Sequence, residues 1–250
     1  MARTIWHRSL RWQSSQLRHP HPPGRFAAVA TSPLRGEARA RVASLSTGQV
    51  SWADRVGFGP LLSGGEWTVE STKSLLRREP WIEVLEEHIK LPDGRRVDDF
   101  YTIRLLDFVV VAALMDDGRL VTIKHYRHGG RAVTQGLPSG FIDDGETPLD
   151  AARRELLEEA GYEAADWLDL GRYVVDGNRG CGTEHVFLAR GAKGVAEPVA
   201  MDLAPATVHL VALDRAVDAM WKGEVHELAS ASALALAVLR INSETPLGEA

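Results

Sequence analysis

The run FVVVAALM, Phe108 to Met115, has no polar face. Successive side chains of a strand point to opposite faces of its sheet. A strand apolar at every position therefore buries both faces, which places it in the middle of a sheet covered on each side. The covering layers are found further along the chain. Pro148–Ala160 carries Leu149, Ala152, Leu156 and Ala160 at three- and four-residue spacings, the apolar stripe of an amphipathic helix. Thr147 is its N-cap, Pro148 its first residue, and Gly161 its stop. Two more helices are expected near Asp214–Trp221 and Leu228–Ile241.

The remaining elements read as β. WIEVLEEHIKL and VDDFYTIRLL flank the turn PDG at Pro92–Gly94, and RLVTIKHYR follows DDG at Asp116–Gly118. WLDLGRYVVD, EHVFLARG and TVHLVALD are further strands, while the Gly-rich stretch before Glu146 reads as loop. Strands, helix, strands and helices in that order predict an α/β domain with its sheet between helical layers. The expected division is 1–60 as a disordered basic leader and linker, 61–105 as a small antiparallel β segment, and 106–245 as the main domain. Neither FVVVAALM nor Leu228–Ile241 is long enough to span a bilayer, so no membrane partner is expected. The single cysteine, Cys181, rules out an intrachain disulfide.

Charge is unevenly spread. Residues 1–41 hold eight arginines and one acid, Glu37, a net of +7; against −5 for the whole chain, that leaves −12 for the rest. An Arg-rich, acid-poor start reads as a transit peptide to a mitochondrion or plastid, as a basic tail, or as translation from too early a start. Without a transit peptide the location expected is cytoplasmic. A body at −12 argues against nucleic acid as a partner.

The helix at Pro148–Ala160 raises a physical problem. Glu155 and Glu159 are four residues apart, and Glu155 and Glu158 three, so the carboxylates stack into one ridge. Like charges so placed destabilise a helix by roughly a few tenths of a kcal/mol per pair. A solvated helix face would instead set Lys or Arg against Glu. The ridge becomes sensible if it holds divalent cations, because Mg²⁺ takes a few carboxylates and keeps water and substrate phosphate as its other ligands. Glycines at 136, 140 and 145 and Pro138 surround the entry to this helix and permit close backbone approach, and the Ser139 carbonyl is a candidate metal donor.

At these residues the chain resembles a known family. Gly140, Glu146 and the run Arg154-Glu155-Leu156-Leu157-Glu158-Glu159-Ala160-Gly161-Tyr162 match the fixed positions of the Nudix box. The resemblance implies an α/β/α sandwich around a mixed sheet, and Mg²⁺-dependent hydrolysis, with Mn²⁺ as an alternative, of a nucleoside diphosphate linked to another group. By that resemblance Glu155 and Glu159 are the principal metal ligands. Glu158 is a further ligand or the base that activates water, Glu146 supports the shell together with Ser139, and Arg154 orients a carboxylate.

From about Trp67 to Ile241 the chain is similar to the ADP-ribose and ADP-sugar pyrophosphatase branch. That similarity implies a nucleoside diphosphate sugar as substrate, a homodimer formed through the N-terminal β segment, and Arg127 on substrate phosphate or ribose. Gly140, Asn178, Arg179 and Glu184 complete the expected substrate-binding set. The chain also departs from the branch pattern. Gly136 stands where a glutamate is usual, no proline lies between Asp176 and Glu184, and Ala204 and Thr207 stand where acids are expected. Glu197, Asp202 or Glu158 is then left as the base. The rival readings are a non-catalytic nucleotide sensor on the same fold and a hydrolase of the same family acting on another nucleotide sugar or a dinucleotide.

Overall fold

The computed structural model describes residues 66–199 and 206–244. Its first three strands, β1 (Thr68–Arg78), β2 (Ile82–Lys90) and β3 (Arg96–Arg104), form an antiparallel meander, with Val84 opposite Ile103 and Glu87 opposite Phe100. Then come β4 (Phe108–Leu114), β5 (Arg119–Arg127), β6 (Ala132–Gly136), β7 (Ser139–Phe141), α1 (Pro148–Ala160), β8 (Tyr162–Glu163), β9 (Asp166–Asp176) and β10 (Gly180–Arg190). The chain closes with β11 (Lys193–Gly194), β12 (Thr207–Ala212), α2 (Leu213–Trp221) and α3 (Leu228–Glu244). The large sheet runs β1-β2-β3-β10-β4-β5-β12 and is mixed, because β10 lies parallel to β4 while β5 and β12 run antiparallel.

β4 is the central strand that its apolar run predicts. Val109, Val111 and Ala113 pack with Ala152, Leu156 and Ala160 of α1 on one face. Val110 and Ala112 pack with Ala216 of α2 and with Ala233, Leu234 and Ala237 of α3 on the other. Residues 109–113 are all 0 % exposed, which a strand reaches only with a layer on each side. The α/β/α sandwich is therefore present, with the antiparallel β segment at its N-terminal end.

The helix ends obey local rules. The Thr147 hydroxyl accepts a bond from the Asp150 N–H at 3.2 Å, and Pro148 occupies the first turn. Gly161 adopts φ 74° and donates to the Leu157 carbonyl at 2.8 Å, a left-handed stop that glycine adopts without strain.

One departure from the sequence reading shapes the site. The Gly-rich stretch before Glu146 is partly strand: β6 pairs with the end of β5, and β7 pairs with the start of β4. β5 contacts β4 only at Ala113↔Val121 and Leu114↔Leu120, then diverges. β7 takes the vacated edge, setting Gly140 opposite Val109 and Ser139 opposite Val110. The sheet forks there, and α1 lies along one arm of the fork. Among the described residues, no helix is long and apolar enough to cross a membrane. Residues 1–60, and with them the leader and its targeting, lie outside the described residues.

Candidate active site

A cavity of about 880 Å³ opens at the fork. Ser139, Gly140 and Phe141 of β7 line one wall, and Glu155, Glu158 and Glu159 of α1 line the next. Arg127 at the end of β5 and Glu227 just before α3 face it from the opposite arm. Phe108, Ile123, Val175, Val199 and Leu228 give it an apolar side. The fork thus brings Arg127, Ser139, Gly140, Arg154 and the three ridge glutamates around one space.

Arg154 answers much of the charge problem. Its Nη1 donates to Glu155 Oε1 at 2.6 Å and to Glu158 Oε2 at 3.3 Å. Its Nε and Nη2 hold both oxygens of Glu146 at 2.9 and 2.8 Å, and Nη2 also donates to the Phe141 carbonyl at 2.9 Å. One rigid guanidinium fork therefore ties the entry loop, β7 and the ridge together. Hydrogen bonding to Arg154 holds the Glu146 carboxyl below its ordinary range. Glu155 moves the other way: burial raises it, and the charges of Glu158 and Glu146 add to that against the pull of Arg154.

Gly140 makes this arrangement possible. A Cβ there would fall inside the carboxyl group of Glu155. Glu159 is placed from the same strand, because the Ser139 N–H donates to its Oε2 at 2.8 Å. Ser139 thus meets the ridge through its amide.

Arg127 is held from two sides. Its Nε lies 3.3 Å from a Glu227 carboxylate oxygen, and its Nη2 lies 3.4 Å from Ser139 Oγ. Burial opposes the charge on Glu227, but contact with buried His125 and the charge of Arg127 hold its carboxyl below the ordinary range. Sequence reasoning missed Glu227. The only local signal is its place immediately before an apolar helical run, which marks a helix start and not a site. Its pairing with Arg127 spans a hundred residues of chain.

Other expected site residues lie elsewhere. Asn178 and Arg179 form the β9–β10 turn, where Asp176 accepts both backbone N–H groups at 2.8 Å, and they do not line the cavity. Glu184 is buried with its carboxyl oxygens 3.3 Å from Ser232 Oγ of α3, and burial pushes it up to about 7. Glu197 borders a separate hollow beside Tyr162 and Pro198. Thr207 Oγ1 stands 3.0 Å from His209 Nε2 on β12, and Asp202 and Ala204 lie outside the described residues.

The donors suit a hard divalent cation in kind: carboxylate oxygens on one cavity wall, one of them desolvated. Among the described residues no three His, Cys, Asp or Glu side chains converge into a ready-made metal cage. The bonds above give the reason. Arg154 draws Glu155 and Glu158 toward itself, and Ser139 holds Glu159.

Comparison with known proteins matches this architecture. The model of the NUDIX domain matches residues 104–227, and that of the nucleoside diphosphate sugar hydrolase N-terminal domain matches residues 67–103. A Mycobacterium tuberculosis protein named ADP-ribose pyrophosphatase is 33 % identical over 156 residues, 60 % of this chain and 73 % of that one. A Bacillus subtilis protein of the same name is 29 % identical over 108 residues, 43 % of this chain and 58 % of that one. The chain thus spans little more than half the length of the second relative. A solved structure titled as an ADP compounds hydrolase superposes with a TM-score of 0.62 at 21 % identity, over 72 % of this chain and 96 % of that one, a likeness of fold.

Proposed function

The chain belongs to the Nudix family, and from that premise we propose that it is a divalent-metal-dependent hydrolase of ADP-ribose or an ADP-sugar, releasing AMP and a sugar phosphate. The observation that carries this reading is the cavity at the sheet fork, where the ridge Glu155, Glu158 and Glu159 faces Arg127 across a space of about 880 Å³.

Glu155 and Glu159 would hold Mg²⁺, or Mn²⁺ in its place. When bound, the cation offsets diphosphate charge and makes a water ligand acidic enough to attack phosphorus near neutral pH. Arg127 lines the cavity, and the guanidinium N–H donors outside its contacts with Glu227 and Ser139 would pair with phosphate oxygens. Glu158 has the longer, 3.3 Å contact with Arg154, so its carboxylate is the freer to take the proton of the attacking water. The water oxygen bonds to phosphorus, the bridging P–O bond breaks, and the bridge oxygen leaves with the second phosphate. Arg154 keeps the carboxylates aimed throughout, and Gly140 leaves Glu155 its place.

The apolar side of the cavity and the tilted pair Trp81–Phe141, with ring centroids 6.0 Å apart beside it, suit the flat base of the nucleotide. The exposed apolar groups of the N-terminal meander, Trp67, Val69, Leu75, Leu76 and Tyr101, suit a homodimer.

The test is incubation with Mg²⁺ and, separately, ADP-ribose, ADP-glucose, UDP-glucose and NADH, with released nucleoside monophosphate measured by chromatography. AMP from ADP-ribose or ADP-glucose supports the reading. Release from UDP-glucose alone would move the substrate class. Silence on all four, with ADP-ribose still raising the melting temperature, would replace the hydrolase with a nucleotide sensor.

A further inference from the structure

Arg127 is the cation that faces the carboxylate ridge across the cavity, and its aim is decided by what grips its inner edge. A guanidinium on a three-carbon stem has many rotamers, so a substrate must either order it or find it already ordered. Here the Nε edge is taken by Glu227 at 3.3 Å and one Nη2 donor by Ser139 Oγ at 3.4 Å. The Nη1 N–H groups and the second Nη2 N–H take part in neither of these bonds, and Arg127 lines the cavity. Glu227 is itself held from behind. The Thr134 hydroxyl accepts from the His226 N–H at 3.1 Å, and the Leu137 N–H donates to Ser230 Oγ at 3.1 Å, so the chain on each side of Glu227 is tied to β6 or to the residue that follows it. Buried His125 lies 3.7 Å from the same carboxylate.

Gly136 supplies the space. A Cβ on it would stand 3.0 Å from Ser230 Oγ and 3.7 Å from Glu227 Oε1. A longer side chain at that position would occupy the volume through which Glu227 reaches Arg127. The glycine at 136 and the acid at 227 are thus parts of one arrangement.

We propose that Glu227 is a positioning residue for substrate recognition: its carboxylate, delivered across Gly136, orders the Arg127 guanidinium so that its outer edge meets the diphosphate. This rests on the cavity being the diphosphate site. The contacts of Glu227 are with Arg127 and His125, on the side of the cavity facing the ridge, so its removal is expected to act on binding and to leave the chemical step nearly intact.

The experiment compares full-length wild type, Glu227→Ala, Arg127→Ala and the double variant. Two quantities are read: KM and kcat for ADP-ribose with Mg²⁺, and the Kd of the uncleavable α,β-methylene analogue. The expected result is that Glu227→Ala raises KM and Kd about tenfold with kcat within about twofold, and changes neither further in the Arg127→Ala background. A Glu227→Gln protein that recovers part of the lost affinity adds support, because its amide oxygen still accepts from Nε. Equal losses in both backgrounds would make Glu227 merely structural and overturn the inference. So would wild-type affinity in Glu227→Ala. Tighter binding would overturn it too, by showing that Glu227 competes with phosphate for Arg127. Wild type that binds the analogue but releases no AMP defeats the hydrolase reading instead, and the Kd comparison then decides the inference by itself. Wild type that neither binds nor cleaves overturns both.

Discussion

Glu184 shows how one side chain can hold a charge decision that the rest of the molecule feels. It is buried, and the hydroxyl of Ser232 that meets it also donates to the carbonyl of Leu228 at 2.8 Å. Burial disfavours the charged carboxylate and outweighs the Ser232 hydrogen bond, which pulls the other way. The folded Glu184 therefore keeps its proton up to about pH 7, whereas the unfolded chain releases it near the ordinary 4.5. Between those values the unfolded state binds fewer protons than the folded state, so this group's stabilisation is complete below the lower one and lost as pH rises through the upper. Glu184→Gln keeps an oxygen acceptor for the Ser232 hydroxyl and removes the titration. Its melting temperature should exceed that of wild type by about 3–6 °C at pH 8 and differ by no more than about 1 °C at pH 5. An equal difference at both pH values would show that Glu184 is already ionised in its pocket.

At the scale of elements, the site depends on how closely β7 approaches α1. Gly140→Ala should push the Glu155 carboxylate out of its place. The expected outcome is a fall in kcat/KM of at least about tenfold together with about 1–3 kcal/mol of lost stability, read from steady-state kinetics and a denaturant melt. Unchanged kinetics would mean that Glu155 need not sit beneath the strand.

The same elements show what the sequence could reveal. β4 was legible because burial on two faces leaves no polar position. α1 was legible because its cap, stripe and stop are local signals, and its ridge because like charges at helical spacing conflict with an ordinary solvated face. β7 was not legible: three residues, Ser139–Phe141, are too short for periodicity, and their pairing with Val109 and Val110 depends on β5 veering away. β1 was hidden for another reason, since every one of its residues is exposed and no face alternates. Glu227 was invisible as a site residue because its partner lies on another strand, brought near only by the completed sheet.

At the scale of the whole molecule, two arms of one sheet carry opposite functions. The ridge and β7 collect negative charge held by Arg154, and the β5 arm presents Arg127 backed by Glu227. The N-terminal meander adds a surface with Trp67, Val69, Leu75, Leu76 and Tyr101 exposed. If that surface joins two copies, light scattering on a size-exclusion column should give twice the 27.4 kDa chain mass, and Leu75→Glu with Leu76→Glu should return it to one. A wild-type chain eluting at one mass would remove the dimer and leave the cavity's chemistry standing.

The measurement that bears most directly on the central claim compares wild type with Glu159→Gln on ADP-ribose and Mg²⁺, following AMP by chromatography and thermal stability in parallel. Glu159 lies on the ridge, and its neutral isostere keeps an oxygen for the Ser139 N–H. Wild type should release AMP, and Glu159→Gln should lose at least about 10²-fold in kcat/KM. The metal-free variant should melt no lower than wild type, because one like charge has left the ridge. Full turnover by Glu159→Gln would contradict the assignment of the α1 ridge as the catalytic centre.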